Sequence, residues 1–191
     1  GDVTDLDTSY VSARAFVFGP DGLLYSASSV YRDGSYHYGI DRYREVNGIL
    51  VTEAFVSNSP ISLGYITDVI FTPGGSLLVA DGKNDRILQF DGTTGDFQSE
   101  FIASGTGGLD GVGDMQVGPD GNLYVTSTDT HSILRFHGQT GQFIDEFVAP
   151  RSGGLYRPYG QLVFGSDGDL YVNEYPEVLR FDGLTGEFIN K

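Results

Sequence analysis

Cysteine and tryptophan are absent from the 191 residues, methionine occurs once and histidine three times. Without cysteine there is no disulfide framework and no thiolate metal site, and the redox compartment stays open. No apolar run approaches the roughly 18 residues of a membrane-spanning helix, so membrane insertion is not expected. Basic residues are scarce, 11 Lys and Arg against 26 Asp and Glu, for a formal net charge of −15. That balance argues against unaided contact with nucleic acid or an anionic membrane, while divalent cations and cationic partners are tolerated. Familiar catalytic signatures are also missing: no G-x-S-x-G elbow, no H-E-x-x-H pair, and no phosphate-cradling glycine loop that opens a helix. Glycine, in contrast, is abundant at 28 residues, and 39% of the chain is hydrophobic. Many glycines with a stock of Phe, Tyr, Val, Leu and Ile favour short strands joined by tight turns over helices.

The turns recur. "VGPDGNLYVTS" at Val117 to Ser127 has near-copies beginning at Val17, Ile70 and Val163. Their last turn glycines, Gly22, Gly75, Gly121 and Gly168, stand 53, 46 and 47 residues apart. A second marker keeps step: "QFDGTTGDF" from Gln89, "RFHGQTGQF" from Arg135, "RFDGLTGEF" from Arg180 and a degenerate "RYREVNGIL" from Arg42. Its glycines, Gly48, Gly95, Gly141 and Gly186, are 47, 46 and 45 residues apart. In the third unit "DMQVG", "NLYVTS", "SILRFHG" and "QFIDEFVA" read as strands, with period-two alternation clearest in "NLYVTS". Four antiparallel strands repeated at this period are the pattern of β-propeller blades rather than of a β-sandwich. The expected fold is all-β, a single propeller domain over 1–191 with four visible blades at approximately 13–57, 66–104, 113–149 and 160–191. Residues 1–12 match no repeat and are expected to be a linker or an edge-covering strand. Leu123, Tyr124, Leu134 and Phe136 are expected to pack between blades.

The stretch "GPDGNLYVTSTDTHSILRFHGQTGQFIDEFV" resembles the NHL-repeat propellers, and more loosely the virginiamycin B lyase-like and gluconolactonase-like propellers. The resemblance runs from Ala15 to the end and specifies architecture better than function. It implies six or seven blades where four are visible. Three completions stay open: a four-bladed ring in one chain, two chains as a homodimer closing an eight-bladed ring, or a piece of a longer protein cut at a blade boundary.

In a propeller the two recurring turns lie on one face, and the loops between strands two and three and between blades lie on the other. Binding groups are expected on that variable face. The interval from Gly22 to Gly48 is the longest of its kind, and its excess falls in "SSVYRDGSYHYGID", read as an enlarged loop. Tyr31, Arg32, Tyr36, His37 and Tyr38 there make a candidate lip for a carbohydrate or protein ligand, since tyrosine rings bind at low entropic cost. His131, Arg157, Tyr159 and Glu174, with Arg151 and Tyr156 nearby, are expected on the same face. Asp81, Asp110, Asp114 and Asp129 are the candidate oxygen ligands for Ca²⁺, the one cofactor considered, although loop aspartates also bond their own backbone. His137 replaces the Asp of the sister turns and reads as surface variation. The favoured reading is a non-enzymatic binding module, exported to the periplasm or outside a bacterial cell. The enzymatic alternative implied by the resemblance is a divalent-metal-assisted lyase or lactone hydrolase, with His37 or His131 as base.

Overall fold

The computed structural model describes residues 15–56 and 60–191. Residues 1–14, with the expected linker or edge strand, lie outside the described residues. Among the described residues sixteen strands make four antiparallel sheets of four. The first sheet holds β1 (Phe16–Phe18), β2 (Leu24–Arg32), β3 (Ser35–Val46) and β4 (Ile49–Val56). The second holds β5 (Ile66–Phe71), β6 (Ser76–Asp81), β7 (Arg86–Asp91) and β8 (Phe97–Ile102). The third is β9 (Val112–Val117), β10 (Leu123–Ser127), β11 (Ser132–Phe136) and β12 (Phe143–Val148). The fourth is β13 (Leu162–Phe164), β14 (Leu170–Glu174), β15 (Glu177–Phe181) and β16 (Phe188–Asn190). Each sheet runs in simple meander order, and the first strands of successive sheets lie side by side, β1 on β5, β5 on β9 and β9 on β13.

So small a sheet has no interior of its own, so the cores form between sheets, not within them. Three buried clusters join the first blade to the second, the second to the third and the third to the fourth. Strand alternation sets this up. In β6, Leu77 and Val79 face the preceding blade, while Leu78 and Ala80 face the following one. Tyr25 stands edge-on to Phe71 of the next blade at 4.9 Å, and Tyr124 meets Phe164 at 4.8 Å. Leu78 and Val117 fill the corresponding places in the middle joint. Leu123, Leu134 and Phe136 are buried against the second blade and Tyr124 against the fourth, the inter-blade role their alternation predicts.

The turns pack as tightly as the strands. A Cβ at Gly92, Gly138 or Gly183 would collide with the carbonyl oxygen of Gly75, Gly121 or Gly168, so the two recurring turns of each blade touch on one face. At Gly95, Gly141 and Gly186 a Cβ would strike the carbonyl of Phe55, Phe101 or Phe147 on the preceding blade's outermost strand. These glycines, at φ of 67° to 77°, serve both the turn and the close approach.

One expectation needs correction. The stretch from Ser28 to Asp41 is not a loop: β2 and β3 continue as a two-stranded ribbon, pairing Ser28 with Gly39 through Arg32 with Ser35. Asp33 and Gly34 close it with φ of 52° and 81°, the two positive values a type I′ hairpin turn requires.

Candidate functional site

The variable face carries two groups of aromatic and charged side chains. On the ribbon, Tyr31 and Tyr36 are cross-strand partners whose rings meet at 5.0 Å. Tyr38, two residues on and hence on the same side, stacks on Tyr36 at 6.1 Å. Tyr31 and Tyr36 are exposed, whereas Tyr38 packs against the core between the first two blades and is partly structural. His37 pairs opposite Val30, and its Nε2 lies 3.4 Å from Ser35 Oγ. His37, Ser28, Asp33 and Asp41 line a groove of about 450 Å³. Burial pushes the Asp41 carboxyl up from the ordinary aspartate range. The Arg32 side chain lies outside the described residues.

The second group is built where the loops of the third and fourth blades meet. The Arg157 guanidinium donates to Asp129 Oδ1 at 2.6 Å, a bond that also pushes Arg157 further above its usual range. The Arg157 backbone N–H donates to His131 Nδ1 at 3.1 Å, which leaves Nε2 to carry the proton of the neutral ring. His131 stacks on Tyr156 with ring centroids 4.6 Å apart and planes 15° apart. Arg151 lies over Tyr156 and Arg157 over Tyr159, each 5.7 Å from the ring centre. Glu174 Oε2 accepts the Tyr156 backbone N–H at 3.2 Å. His131, Arg151 and Arg157 hold φ of 62°, 62° and 53°, a left-handed backbone that non-glycine residues rarely adopt and that concentrates at functional loops. Tyr156, Arg157, Tyr159, Asn173, Glu174 and Tyr175 line a pocket of about 460 Å³.

The structure thus brings His131, Arg157, Tyr159 and Glu174 together and holds Tyr31, Tyr36, His37 and Tyr38 on a separate ribbon. Tyr175 belongs to the same expected loop as Glu174, whereas Tyr65 was not anticipated. Tyr175 is exposed at the pocket rim, and Tyr65 has its hydroxyl pushed up by burial and by the charges of Asp85, Asp129 and Asp81. Tyr65 sits on the short connection before β5, where the sequence shows a lone Tyr in "SLGYI" and no repeat partner to single it out.

The four aspartates considered for Ca²⁺ have different surroundings. Asp81 is buried at the end of β6, where it accepts from Gly64 N–H at 3.0 Å, Asn84 Nδ2 at 2.8 Å and Arg86 Nε at 3.0 Å. Asp114 lies inside β9 rather than on a loop, and its Oδ2 accepts the Leu162 N–H of the next blade at 2.9 Å. Asp129 is paired with Arg157, and Asp110 is exposed with its backbone tied to Ser127 and Asp129. Among the described residues no three Asp, Glu or His side chains gather as a metal-holding group.

Asp114 has an unanticipated twin. Asp68 of β5 occupies the same repeat position one blade earlier, and its Oδ2 accepts the Met115 N–H at 2.9 Å. Each carboxylate therefore staples its own inner strand to the next one. Burial pushes Asp68 up to about 7, helped by the Asp114 charge, and pushes Asp114 up to about 6.

No protein-family model and no curated protein matches the chain. Solved structures do. A catalytically inactive virginiamycin B lyase from Staphylococcus aureus, crystallised with quinupristin, superposes with a TM-score of 0.66 at 14% identity. The chain is a β-propeller. It aligns over 97% of its own length and spans 57% of that lyase. A Bacteroides caccae protein of unknown function gives a TM-score of 0.67 at 14% identity, over 94% of this propeller and 66% of that chain. The extracellular domain of a one-component system from B. thetaiotaomicron gives 0.63 at 12% identity, over 94% of the propeller and 25% of that chain. At these identities the likeness is one of fold, shared by an enzyme and by a protein of unknown function. Among the described residues no helix is long and apolar enough to cross a membrane.

Proposed function

We propose that the propeller is a non-enzymatic binding module that takes a carbohydrate in the pocket of the fourth blade. One observation carries the reading: Tyr156, Tyr159 and Tyr175 are 55%, 70% and 93% exposed around a pocket that also presents Asn173, Glu174 and Arg157. Flat rings left in water at a concave site suit the apolar faces of sugar rings, and the amide, carboxylate and guanidinium suit their hydroxyls. The stacking of His131 on Tyr156 and the ion pair of Arg157 with Asp129 hold that wall in shape before any ligand arrives. Isothermal titration with a panel of neutral and acidic oligosaccharides tests the reading. Binding that weakens about tenfold in both Tyr159→Ala and Tyr175→Ala is expected, since a lost stacking contact is worth about 1 kcal/mol or more. Absence of binding across the panel, or binding indifferent to both substitutions, refutes it.

The alternative, a divalent-metal-assisted lyase or lactone hydrolase, draws on the fold likeness to virginiamycin B lyase. It calls for acidic or His groups from several blades around one ion, an arrangement that Asp81 and Asp114, engaged as described, do not supply. Likeness in fold to an extracellular domain supports placing the binding module outside the cell.

A further inference from the structure

The joint between the second and third blades is built from different residues than the joints on either side of it. In those two joints a tyrosine, an arginine and two carboxylates form one unit at the end nearest the recurring turns. Tyr25 stands edge-on to Phe55 of its own blade and to Phe71 of the next, both at 4.9 Å, and its hydroxyl donates to Asp21 at 2.9 Å. Arg42 lies over Phe55, 5.3 Å from the ring centre, and donates to Glu53. The third blade repeats the unit, with Tyr124 between Phe147 and Phe164, Asp120 on its hydroxyl, and Arg135 held by Asp145 over Phe147. In the second blade every member gives way to a smaller or uncharged residue. The strand register puts Leu78 at the tyrosine, Gln89 at the arginine and Ser99 at the outer carboxylate. Gly74 stands at the turn carboxylate, and Val117 of the third blade stands where Phe71 and Phe164 do.

Leu78 and Val117 meet there with less bulk than a Tyr and a Phe, and no guanidinium lies over the ring of Phe101, the sister of Phe55 and Phe147. The space stays open. A pocket of about 420 Å³ occupies it, on the face of the recurring turns and opposite the variable face. Phe101 and Val117 form its apolar wall, Pro73 and the turn glycines Gly74, Gly121 and Gly138 its rim, and no charged side chain lines it. The polar groups on its floor are already ordered. Gln89 Nε2 donates to Ser76 Oγ at 2.9 Å, and Gln89 Oε1 accepts from Ser99 Oγ at 3.1 Å. That arrangement leaves the Ser76 hydroxyl proton and the second N–H of the Gln89 amide without acceptors among the described residues, so the pocket offers two donors beside an aromatic wall.

We infer that this joint is a second binding site, which takes an uncharged aromatic ring bearing an oxygen, in the manner of a phenol. The sister joints show what the space accepts, for in each of them it holds a tyrosine ring set edge-on between two apolar walls. With Leu78 in place of that tyrosine the ring comes from outside. Phe101 offers it the edge-on contact that Phe55 and Phe147 give Tyr25 and Tyr124, and Ser76 and Gln89 offer donors to its oxygen. A charged ligand is disfavoured, because neither the arginine nor the carboxylates of the sister units have a counterpart here to pair with it. The volume of about 420 Å³ falls within the roughly 300–1,000 Å³ of small-molecule sites, with room beyond one ring for a substituent or a peptide backbone. Two sources can supply the ring, a free phenolic molecule or a tyrosine side chain of a peptide. The site shares no lining residue with the carbohydrate pocket of the fourth blade and does not rest on that reading.

Titration of the isotope-labelled chain with p-cresol, and separately with a blocked tripeptide carrying tyrosine at its centre, gives the test by nuclear magnetic resonance. Saturable amide shifts at Ser76, Gln89 and Val117, with Overhauser contacts from the ligand ring to Phe101, are expected from at least one of the two. Tighter binding of p-cresol assigns the site to a free molecule, and tighter binding of the tripeptide assigns it to a partner's side chain. Gln89→Arg returns a guanidinium to the space over Phe101 and should weaken binding about tenfold or more with the far-UV spectrum unchanged. Leu78→Tyr returns the ring itself and should abolish binding; because Leu78 is fully buried, Gln89→Arg decides where that variant does not fold. Tyr159→Ala, on the opposite face, should bind both ligands as wild type does. No saturable binding of either ligand, shifts that gather at Tyr159 and Tyr175 instead, or binding indifferent to Gln89→Arg overturns the inference. Carbohydrate binding is read with other ligands and lost in other variants, so either result can fail while the other stands.

Discussion

Replacing Asp68 by Asn should make the protein more stable at alkaline pH and leave it nearly unchanged in mild acid. Asp68 Oδ2 accepts the Met115 N–H at 2.9 Å, and an amide oxygen can accept the same bond. What the substitution removes is ionisation. The carboxyl is pushed from its ordinary 3.8 to about 7, first by burial and then by the charge of Asp114. A carboxyl whose folded value lies above its unfolded one favours the fold while protonated. Its contribution is fully present below pH 4 and is lost as pH rises toward 7. At about 1.36 kcal/mol per pH unit the gap corresponds to ~4 kcal/mol for a carboxyl wholly removed from water. Asp68 keeps part of its surface in contact with solvent, which reduces the expected effect to about 2 kcal/mol. Urea titrations at pH 5 and pH 8 should therefore show wild type losing about 1 kcal/mol more than Asp68→Asn, the part of the effect that falls above pH 5. Asp114→Asn should recover part of the same loss, because Asp68 then ionises without a charged neighbour. The carboxylates held low, Asp91 and Asp182 by turn N–H groups and Asp167 by Tyr171, act with the opposite sign. Their contribution disappears only as pH falls below about 4, outside the interval measured. Equal pH slopes in wild type and Asp68→Asn would show that the staple is not a buried ionisable group.

Smaller effects follow from the turns. Asp91 Oδ1 accepts the N–H groups of Thr93 and Thr94 at 2.8 and 2.9 Å, and Asp182 does the same for Leu184 and Thr185, whereas His137 receives only the Gln139 N–H at 3.3 Å. His137→Asp should raise the stability by about 1 kcal/mol, read as a higher urea midpoint at unchanged slope. Gly141→Ala should cost more than 2 kcal/mol, since φ is 67° and the new Cβ strikes the Phe101 carbonyl. Gly48→Ala, in the equivalent turn with open space around it, should cost about 1 kcal/mol from its backbone angle alone. A difference near zero between the two would remove close blade approach as the reason for glycine at 141.

The blades were legible in the sequence because two chemically distinct turns repeat in step, and turn chemistry is local: Pro, Gly and Asp fix backbone angles whatever lies around them. The ribbon was misread for a related reason. Its extra residues lengthen one repeat interval, which reads as an enlarged loop, yet Asp33–Gly34 between Tyr31 and Tyr36 is a hairpin turn signal in its own right. Asp114 opens the strand "DMQVG" but directly follows the polar "LDGVG" loop, a border where sequence alone does not separate a loop ligand from a strand residue. The Leu162 N–H of the next blade, out of reach of any local pattern, is what occupies its carboxylate.

The same limit governs the ends of the arc. The copies of Phe16 and Phe18 in the other blades pack between sheets, and sequence alternation records which side of a sheet a residue faces, not whether another sheet is there. The geometry supplies the missing fact. Among the described residues three clusters join four sheets, and on the outer side of the first sheet Phe16 and Phe18 are exposed while Ser26 is buried. A face meant only for water would gain by losing Phe16 and Phe18, which at this exposure add nothing to the fold and invite aggregation. A face buried like the internal joints would gain by keeping Val and Leu where Ser26 and Asp41 stand.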